Sequence, residues 1–268
     1  MSRIGIVGLG FVGGAIYSSL NWADITGETV LVDNDPNRGK NPFSDLADTD
    51  AVFICVPTPQ DDDGTCDTGP LESVLEQLKS LDYHGVIISK CTAPPSTYTK
   101  LNELYPNLVH APEFLTAAKA VEDYANGTFA IIGGRVKAYR DAAEKVIRGT
   151  QRSLKDVQHC SIAEASLAKY TINCFMSTKV IFMNELYNLA NASECDYNKI
   201  AEMVKMDPRF GKSHMQVPGP DGAFGFGGAC FPKDTSALLK YAETLGVDLQ
   251  ILAAAVKKNT LLRLTEPK

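Results

Sequence analysis

Short apolar runs alternate with amphipathic stretches along the first half of the chain. Six runs have the length and β-branched character of buried strands, at residues 3–7, 29–32, 51–56, 86–90, 108–110 and 129–133. Helical spacing of apolar residues lies between them, at 13–21, 70–81, 96–104 and 137–148, and a last strand is predicted at 156–159. This alternation predicts an α/β domain with a Rossmann-like parallel sheet and crossover helices.

The second half of the chain is helical in pattern. Apolar residues recur at helical spacing from 161 to 191, and further helices are predicted at 196–204, 232–245 and 248–264. We therefore predict a Rossmann-like domain over residues 1–159 and an all-helical domain over 160–268. Because a long apolar helix left uncovered is an association hazard, the helical domain is expected to form a homodimer. A Gly- and Pro-rich segment at 207–229 is typical of an active-site loop.

Composition narrows the class of protein. The 268 residues are 44% hydrophobic and 22% charged, which excludes a disordered or collagenous chain. A net charge of -6 argues against nucleic acid or an anionic membrane as the main partner. The seven cysteines are scattered, which argues against a disulfide framework or a metal site. No secretory signal or membrane-length apolar run is read, so a soluble, cytoplasmic protein is expected.

The hexapeptide Gly8-Leu9-Gly10-Phe11-Val12-Gly13 follows the first strand and precedes a helix, which is the setting of a dinucleotide-binding loop. Its glycines permit a tight turn, close approach of a pyrophosphate and close helix packing, in that order. Asp33 ends the second strand, where a carboxylate accepts hydrogen bonds from ribose hydroxyls. NAD is therefore expected. Arg38 and Lys40 lie nearby and leave NADP open as an alternative.

A second glycine-rich run contains a cysteine immediately before a predicted helix. It reads Phe224-Gly225-Phe226-Gly227-Gly228-Ala229-Cys230-Phe231-Pro232-Lys233-Asp234, and proline is favoured in the first turn of a helix. A thiol at a helix N-terminus has its thiolate stabilised by the helix dipole, which predicts a nucleophile at Cys230. Asp234 follows four residues later, on the same face if both residues are helical.

This run resembles the active-site signature of the UDP-glucose/GDP-mannose dehydrogenase family. Other family motifs are matched in order by Val56-Pro57-Thr58-Pro59, Lys90-Cys91-Thr92-Ala93-Pro94-Pro95, Ala111-Pro112-Glu113-Phe114-Leu115, the segment 164–173 with Asn184-Glu185, and Arg209. Each residue alone has an ordinary structural interpretation; five motifs in family order favour the family. The resemblance implies oxidation of a nucleotide-sugar C6 alcohol to a carboxylate with two NAD, UDP-glucose to UDP-glucuronate being the expected case.

The resemblance also implies roles for individual residues. Implied catalytic residues are Cys230 as nucleophile, Lys169 and Asn173 as oxyanion donors, Asp234 and Thr92 as water ligands, and Glu113 as the base in thioester hydrolysis. Implied NAD contacts are Gly8, Gly10, Phe11, Val12, Gly13, Asp33, Val56, Pro57, Thr58, Thr92 and Lys233. Implied substrate contacts are Glu113, Phe114, Leu115, Lys169, Asn173, Arg209 from across a subunit interface, Phe224 and Gly227. Structural roles are expected for the other cysteines, Cys55, Cys66, Cys91, Cys160, Cys174 and Cys195.

Three features depart from the family pattern. Ala117 stands where a second glutamate is common, and the segment 33–51 leaves room for little more than a loop. After the helix at 248–264 the family usually continues into a second Rossmann-like domain that grips the nucleotide, and this sequence does not. The expectation is a short form lacking that domain, which is supplied by another chain, replaced by a simpler dimer closure, or dispensed with at the cost of weak substrate binding.

Two other functions remain open from the sequence. A β-hydroxyacid dehydrogenase has similar length, a Rossmann-plus-helical architecture and a catalytic lysine on a similar helix, but it needs no thiol. A non-catalytic NAD-binding module is the second alternative, against which the intact Cys230, Lys169, Asn173 and Asp234 argue.

Overall fold

The computed structural model describes residues 3–20, 28–116 and 119–264. The chain divides into two compact units. One comprises Met1–Asp61 and Cys66–Lys169, and the other comprises Asp62–Thr65 and Tyr170–Lys268. The predicted domain boundary between residues 159 and 160 stays a prediction.

The first unit is built on a seven-stranded sheet in the order β2-β1-β3-β4-β5-β6-β7. The strands are β1 Ile4–Val7, β2 Val30–Val32, β3 Ala51–Ile54, β4 Val86–Ser89, β5 Leu108–His110, β6 Phe129–Gly133 and β7 Asp156–Cys160. The first five strands are parallel, as predicted, but β6 pairs antiparallel with β5 and carries β7 parallel to itself. An apolar run reads the same in either direction, so the sequence pattern does not reveal this reversal.

Helices cover the sheet in this unit: α1 Phe11–Leu20, α2 Gly69–Ser80, α3 Pro95–Leu104, α4 Ala120–Ala125 and α5 Lys137–Thr150. Along β3, Ala51 and Phe53 join one buried apolar cluster, and Val52 and Ile54 join the other. Alternate residues of a strand face opposite sides, so both faces of this strand are covered. That double burial explains why the strand reads as a continuous apolar run.

The helical region consists of α6 Ile162–Ala192, α7 Tyr197–Val204, α8 Phe231–Thr244 and α9 Gln250–Arg263. The α6 helix begins in the first unit and continues into the second. Asp196 caps α7, because its carboxylate accepts from the backbone N–H groups of Asn198 and Lys199. A Rossmann-like sheet domain followed by a helical region confirms the predicted fold class.

The predicted helices and strands agree with the structure to within two residues at each described end; the predicted last residue of α1, Asn21, lies outside the described residues. Two short elements were not predicted. They are α4 and a 3-10 helix, Phe43–Asp48, which occupies the segment expected to be a loop. None of the helices in the described ranges combines the length and apolarity needed to cross a membrane.

Candidate active site

The glycine-rich loop after β1 has three glycines with three different environments. Gly8 has a φ of +87°, and a Cβ there would lie 2.8 Å from the carbonyl oxygen of Cys55. A Cβ on Gly13 would overlap the Gly8 carbonyl oxygen, so this glycine allows the helix to pack against the turn. A Cβ on Gly10, by contrast, would meet no atom within 4 Å among the described residues. The loop therefore presents open backbone at Gly10, where an anion can approach the helix N-terminus.

Asp33 is tied to this loop. Its Oδ2 accepts from the backbone N–H of Leu9 at 2.5 Å, and its Oδ1 accepts from the N–H of Asp35 at 2.8 Å. A carboxylate has about four acceptor positions, so ribose hydroxyls can still bind. Arg38 Nε lies 3.3 Å from the Asp35 carboxylate, and Lys40 Nζ lies 5.5 Å from the ring centroid of Tyr17.

Of the other two residues of the hexapeptide, Phe11 is exposed at the start of α1, while Val12 packs against the sheet core. Their backbone, together with Gly10, forms the first turn of the helix that would face the cofactor phosphates.

Two turns at the carboxyl ends of β3 and β4 are joined to each other. The hydroxyl of Thr58, in the Val56–Pro59 turn, donates to the carbonyl oxygen of Thr92 at 2.8 Å. The Cys91 thiol donates to the Val56 carbonyl oxygen at 3.2 Å. Val56 in turn contacts the glycine loop, because its nitrogen would lie 3.0 Å from a Cβ on Gly8. Predicted NAD contacts from three segments thus come together at one edge of the sheet.

Glu113 and Lys169 form a nearly buried ion pair. The Lys169 Nζ lies 2.9 Å from Glu113 Oε1 and also donates to the Glu113 carbonyl oxygen at 2.5 Å. The side chains are only 5% and 10% exposed. Glu113 Oε2 accepts from the backbone N–H of Leu115, and the Phe114 ring lies 5.3 Å from the Lys169 Nζ. The sequence predicted all four residues as substrate contacts. The structure adds that Glu113 and Lys169 form an ion pair with each other.

Lys90 is a buried lysine to which the sequence motifs assigned no individual role. It is 6% exposed, and its Nζ lies 5.7 Å from the ring centroid of Tyr124. Burial lowers the pKa of Lys90 to about 8, while the nearby carboxylate of Glu113 acts in the opposite direction. Its position at the end of a buried strand, immediately before the Thr92 turn, is the sequence signal that could have identified it.

In the second unit, Cys230 lies at the N-cap position of α8, with its side chain exposed. The backbone N–H of Asp234 donates to the Cys230 carbonyl oxygen at 2.8 Å, which is the first hydrogen bond of the helix. Pro232 stands in that first turn, as predicted. The thiol therefore lies at the positive end of a helix of 14 residues.

Asp234 is the buried centre of a polar cluster one turn into α8. It is 1% exposed, and its Oδ2 accepts from Asn173 Nδ2 at 2.6 Å. Its Oδ1 lies 2.6 Å from Lys233 Nζ. Asn173 lies on α6, one turn after Lys169, so these two donors follow each other on the same helix. The structure thus brings together residues predicted from two separate motifs, the 164–173 segment and the Cys230 run.

The remaining predicted substrate residues belong to the 207–229 segment. Arg209 is exposed, and its guanidinium forms hydrogen bonds with both carboxylate oxygens of Asp207. The Phe224 ring lies 5.8 Å from the Tyr187 ring in an apolar cluster. A Cβ on Gly227 would clash with the guanidinium of Arg263. Ala117, where a second glutamate was sought, lies outside the described residues.

Three side chains hold this loop: Asn184, which the sequence matched to a family motif without a role, and Asn259 and Arg263, which were missed as functional candidates. Asn184 Oδ1 accepts from the backbone N–H of Gly225 at 3.0 Å. Asn259 and Arg263 on α9 bind the backbone of Phe226. Their spacing of four residues on one helix was visible in the sequence, but the partner loop was not.

Three of the other cysteines, Cys55, Cys160 and Cys174, have environments unlike that of Cys230. Burial raises the pKa of the Cys174 thiol to about 12, and the adjacent Asp234 acts in the same direction. Burial also raises the pKa of Cys55, with a smaller contribution from Cys91, and that of Cys160. These thiols stay protonated and are poor nucleophiles at neutral pH. Within the described ranges, no group of three His, Cys, Asp or Glu side chains is arranged to hold a metal ion.

Comparison with known protein families gives two matches to one family. Residues 38–151 match the NAD binding domain of the UDP-glucose/GDP-mannose dehydrogenase family, and residues 163–261 match its central domain. Together the two ranges cover most of the chain. The Gly8–Gly13 loop and Asp33 precede the matched part of the NAD binding domain.

Two curated relatives of the chain agree with these family matches. The chain is 29% identical over 242 residues to UDP-glucose 6-dehydrogenase AglM of Haloferax volcanii, covering 83% of this chain and 55% of that protein. It is 32% identical over 227 residues to a UDP-glucose 6-dehydrogenase of Pseudomonas aeruginosa, covering 80% of this chain and 49% of that protein. The chain therefore spans about half the length of these curated relatives.

A solved structure shares the fold over nearly the whole chain. It is a UDP-glucose dehydrogenase from the archaeon Pyrobaculum islandicum, with a TM-score of 0.83 and 25% identity. The alignment covers 97% of this chain and 68% of that structure.

Proposed function

Since the chain belongs to the UDP-glucose/GDP-mannose dehydrogenase family, we propose that it oxidises the C6 alcohol of a nucleotide sugar to the carboxylate with NAD. UDP-glucose, giving UDP-glucuronate, is the expected substrate, because both curated relatives described above bear that activity in their names. The observation that carries the proposal is Cys230 at the N-cap of α8, one turn before the buried cluster of Asp234, Asn173 and Lys233.

The residues around the glycine loop suit NAD. Gly10 offers open backbone at a helix N-terminus, and Asp33 keeps acceptor capacity for ribose hydroxyls. A carboxylate at that place repels a 2′-phosphate, and Arg38 is already engaged with Asp35. NAD, when bound, accepts hydride, so a four-electron oxidation consumes two molecules per sugar.

The chain's own residues would handle the proton and the aldehyde. The alcohol proton would leave to a bound water as the first hydride is lost, and the family resemblance implies Asp234 and Thr92 as ligands of that water. The Cys230 thiolate then adds to the aldehyde carbon, and protonation of the resulting alkoxide gives a thiohemiacetal. Loss of the thiohemiacetal's hydroxyl proton to water, together with the second hydride, leaves a thioester. Trapping the aldehyde in this way keeps it bound between the two oxidations.

Thioester hydrolysis needs a base and oxyanion donors. Glu113 would take a proton from the attacking water, and Lys169 and Asn173 would donate to the oxyanion. Expulsion of the thiolate gives the carboxylate and restores Cys230. Because Lys169 and Glu113 bind each other directly, substrate must displace part of that contact before Glu113 can act.

The test is a count of NADH formed per sugar consumed, with UDP-glucose, GDP-mannose and UDP-N-acetyl sugars assayed in parallel. We expect two NADH per sugar and a carboxylate product from one of these substrates. One NADH per substrate would identify a two-electron dehydrogenase instead. Binding of NAD without turnover of any of these sugars would indicate a non-catalytic module.

We also propose a homodimer through the helical region. Phe175, Phe182 and Leu189 follow each other at seven-residue spacing along α6, and their exposed fractions are 63%, 50% and 61%. A contiguous stripe of large apolar side chains on a long helix is unfavourable in water and suits an identical helix of a second copy.

A double variant, Phe175→Glu with Phe182→Glu, tests this dimer. Two carboxylates in an apolar interface would leave charges buried without partners, so we expect the protein to sediment as a monomer. Lys199→Glu on α7, also an exposed position, is the control and should leave the dimer intact. A double variant that remains dimeric would place the interface elsewhere.

A further inference from the structure

The last helix, α9, binds the backbone of the loop that leads to Cys230. Asn259 satisfies both backbone groups of Phe226: its Oδ1 accepts from the N–H at 2.7 Å, and its Nδ2 donates to the C=O at 3.0 Å. Arg263, one turn later, donates from Nε to the same carbonyl oxygen at 2.8 Å. The backbone of a single residue, Phe226, is thus held by three hydrogen bonds from one helix face.

The glycines on either side of Phe226 are matched to these two side chains. Gly225 has a φ of +73°, and a Cβ there would overlap the Oδ1 of Asn259. A Cβ on Gly227 would lie 2.8 Å from Cζ of Arg263. A side chain at either position would displace Asn259 or Arg263 from its place against the loop. The glycines therefore allow these two side chains to approach the loop backbone, and Gly225 also has the positive φ that favours glycine.

Arg263 also reaches the beginning of the same segment. Its Nη1 lies 2.7 Å from Asp221 Oδ2, so the guanidinium bridges residue 221 and the carbonyl of residue 226. Asn184 on α6 holds the N–H of Gly225 at 3.0 Å. Residues 221–226 are consequently held at both ends, at Asp221 and at Gly225 and Phe226. Beyond it, only Gly227, Gly228 and Ala229 separate Phe226 from Cys230.

Those three small residues cannot fix the thiol by themselves. Gly228 has a φ of +76° and, among the described residues, no atom within 4 Å of a Cβ built on it. Upstream of these residues, the backbone of Phe226 is held by three hydrogen bonds. Downstream, the Phe231 ring meets the Phe226 ring edge-on with centroids 6.2 Å apart. Loss of the Phe226 anchor would leave both sides of Cys230 less ordered.

We propose that Asn259 and Arg263 are positioning residues that hold the backbone of Phe226 and thereby keep the Cys230 thiol at the N-terminus of α8. They act through the loop and do not touch the reacting atoms. The catalytic consequence rests on the proposed function, whereas the effect on the thiol itself does not. A displacement of about 1 Å in a reacting group can reduce a rate about a hundredfold, so a modest loosening is measurable.

The experiment measures iodoacetamide alkylation of individual cysteines by peptide mass spectrometry across a pH series. Asn259→Asp keeps the acceptor for the Phe226 N–H but places an oxygen against the Phe226 carbonyl. Arg263→Gln removes the bridge to Asp221. In both variants we expect alkylation of Cys230 to slow by about threefold or more near neutral pH and its profile to shift to higher pH, because the thiolate loses the helix dipole.

Cys195 is exposed and serves as an internal control in every sample, with an unchanged rate expected. Lys257→Gln, at an exposed position on α9, is the control variant. Should either variant fail to fold, Asp221→Asn weakens the Arg263–Asp221 bridge at a partly exposed site and is expected to fold. A Cys230 rate and pH profile that stay at the wild-type values in folded variants, while only Tm falls, would overturn the proposal.

Measurement of sugar oxidation by the variants distinguishes failure of the positioning role from failure of the proposed reaction. If a nucleotide sugar is oxidised, kcat should fall about tenfold or more in both variants while KM for NAD stays constant, and Arg263→Lys should recover part of the loss. If no sugar is oxidised but Cys230 alkylation still responds to both substitutions, the positioning role stands and the proposed reaction is wrong.

Discussion

A Cys230→Ser variant is expected to lose at least about a thousandfold in the rate of carboxylate formation, since a serine hydroxyl is hardly ionised at neutral pH. The thiolate at the α8 N-cap is stabilised by the helix dipole; an alkoxide there would be far less populated. The measurement is carboxylate product by chromatography, together with NADH per sugar. We expect at most a small amount of the first oxidation product.

Stability should hardly change in this variant, because the Cys230 side chain is exposed and substitutions at such positions usually alter the unfolding free energy by about 0.5 kcal/mol or less. Cys195→Ser, at another exposed cysteine, is the matched control and should keep full activity. Acid formation at the wild-type rate in Cys230→Ser would refute the covalent mechanism.

The second large effect is expected at the glycine loop, where two alanine substitutions should affect different properties. One should lower the stability of the fold, and the other should weaken NAD binding. In Gly13→Ala the new methyl group overlaps the Gly8 carbonyl, so α1 must move away from β1. We expect a loss of about 1–3 kcal/mol in unfolding free energy, as for overpacked sites. In Gly10→Ala the methyl group meets no described atom, and the fold should stay intact.

NAD affinity distinguishes the two glycines further. The methyl group on Gly10 would lie where the pyrophosphate approaches the backbone, so we expect Kd for NAD to rise about tenfold or more in Gly10→Ala. Denaturant unfolding and NAD titration of both variants provide the measurements. A Gly10→Ala protein with unchanged NAD affinity would mean that the dinucleotide does not approach this loop.

Much of the fold was readable from local pattern. The strands and helices of the first unit follow from apolar periodicity, since a strand buried on both faces and an amphipathic helix each leave a distinct signature. The direction of β6 does not follow, because its apolar run is compatible with either pairing. The helix α4 and the 3-10 helix at Phe43–Asp48 are too short to show a period.

The sequence predicted which residues belong to the candidate site, but it did not predict the contacts between them. Cys230, Asp234, Asn173, Lys169 and Glu113 were identified from motifs. The pairing of Glu113 with Lys169, and of Asn173 with Asp234, joins residues 56 and 61 positions apart. No sequence pattern encodes such a hydrogen bond, because it depends on how the elements that carry the two residues pack.

The sequence by itself determined the alternation of elements and the two glycine-rich loops, and it predicted the nucleophile; all three depend on neighbours within about one helical turn or one strand. The tertiary structure alone decided which side chains hold the Cys230 loop. Asn259 and Arg263 lie more than thirty residues after Phe226. Their hydrogen bonds form because packing brings a buried peptide group, which must be satisfied, against one face of α9.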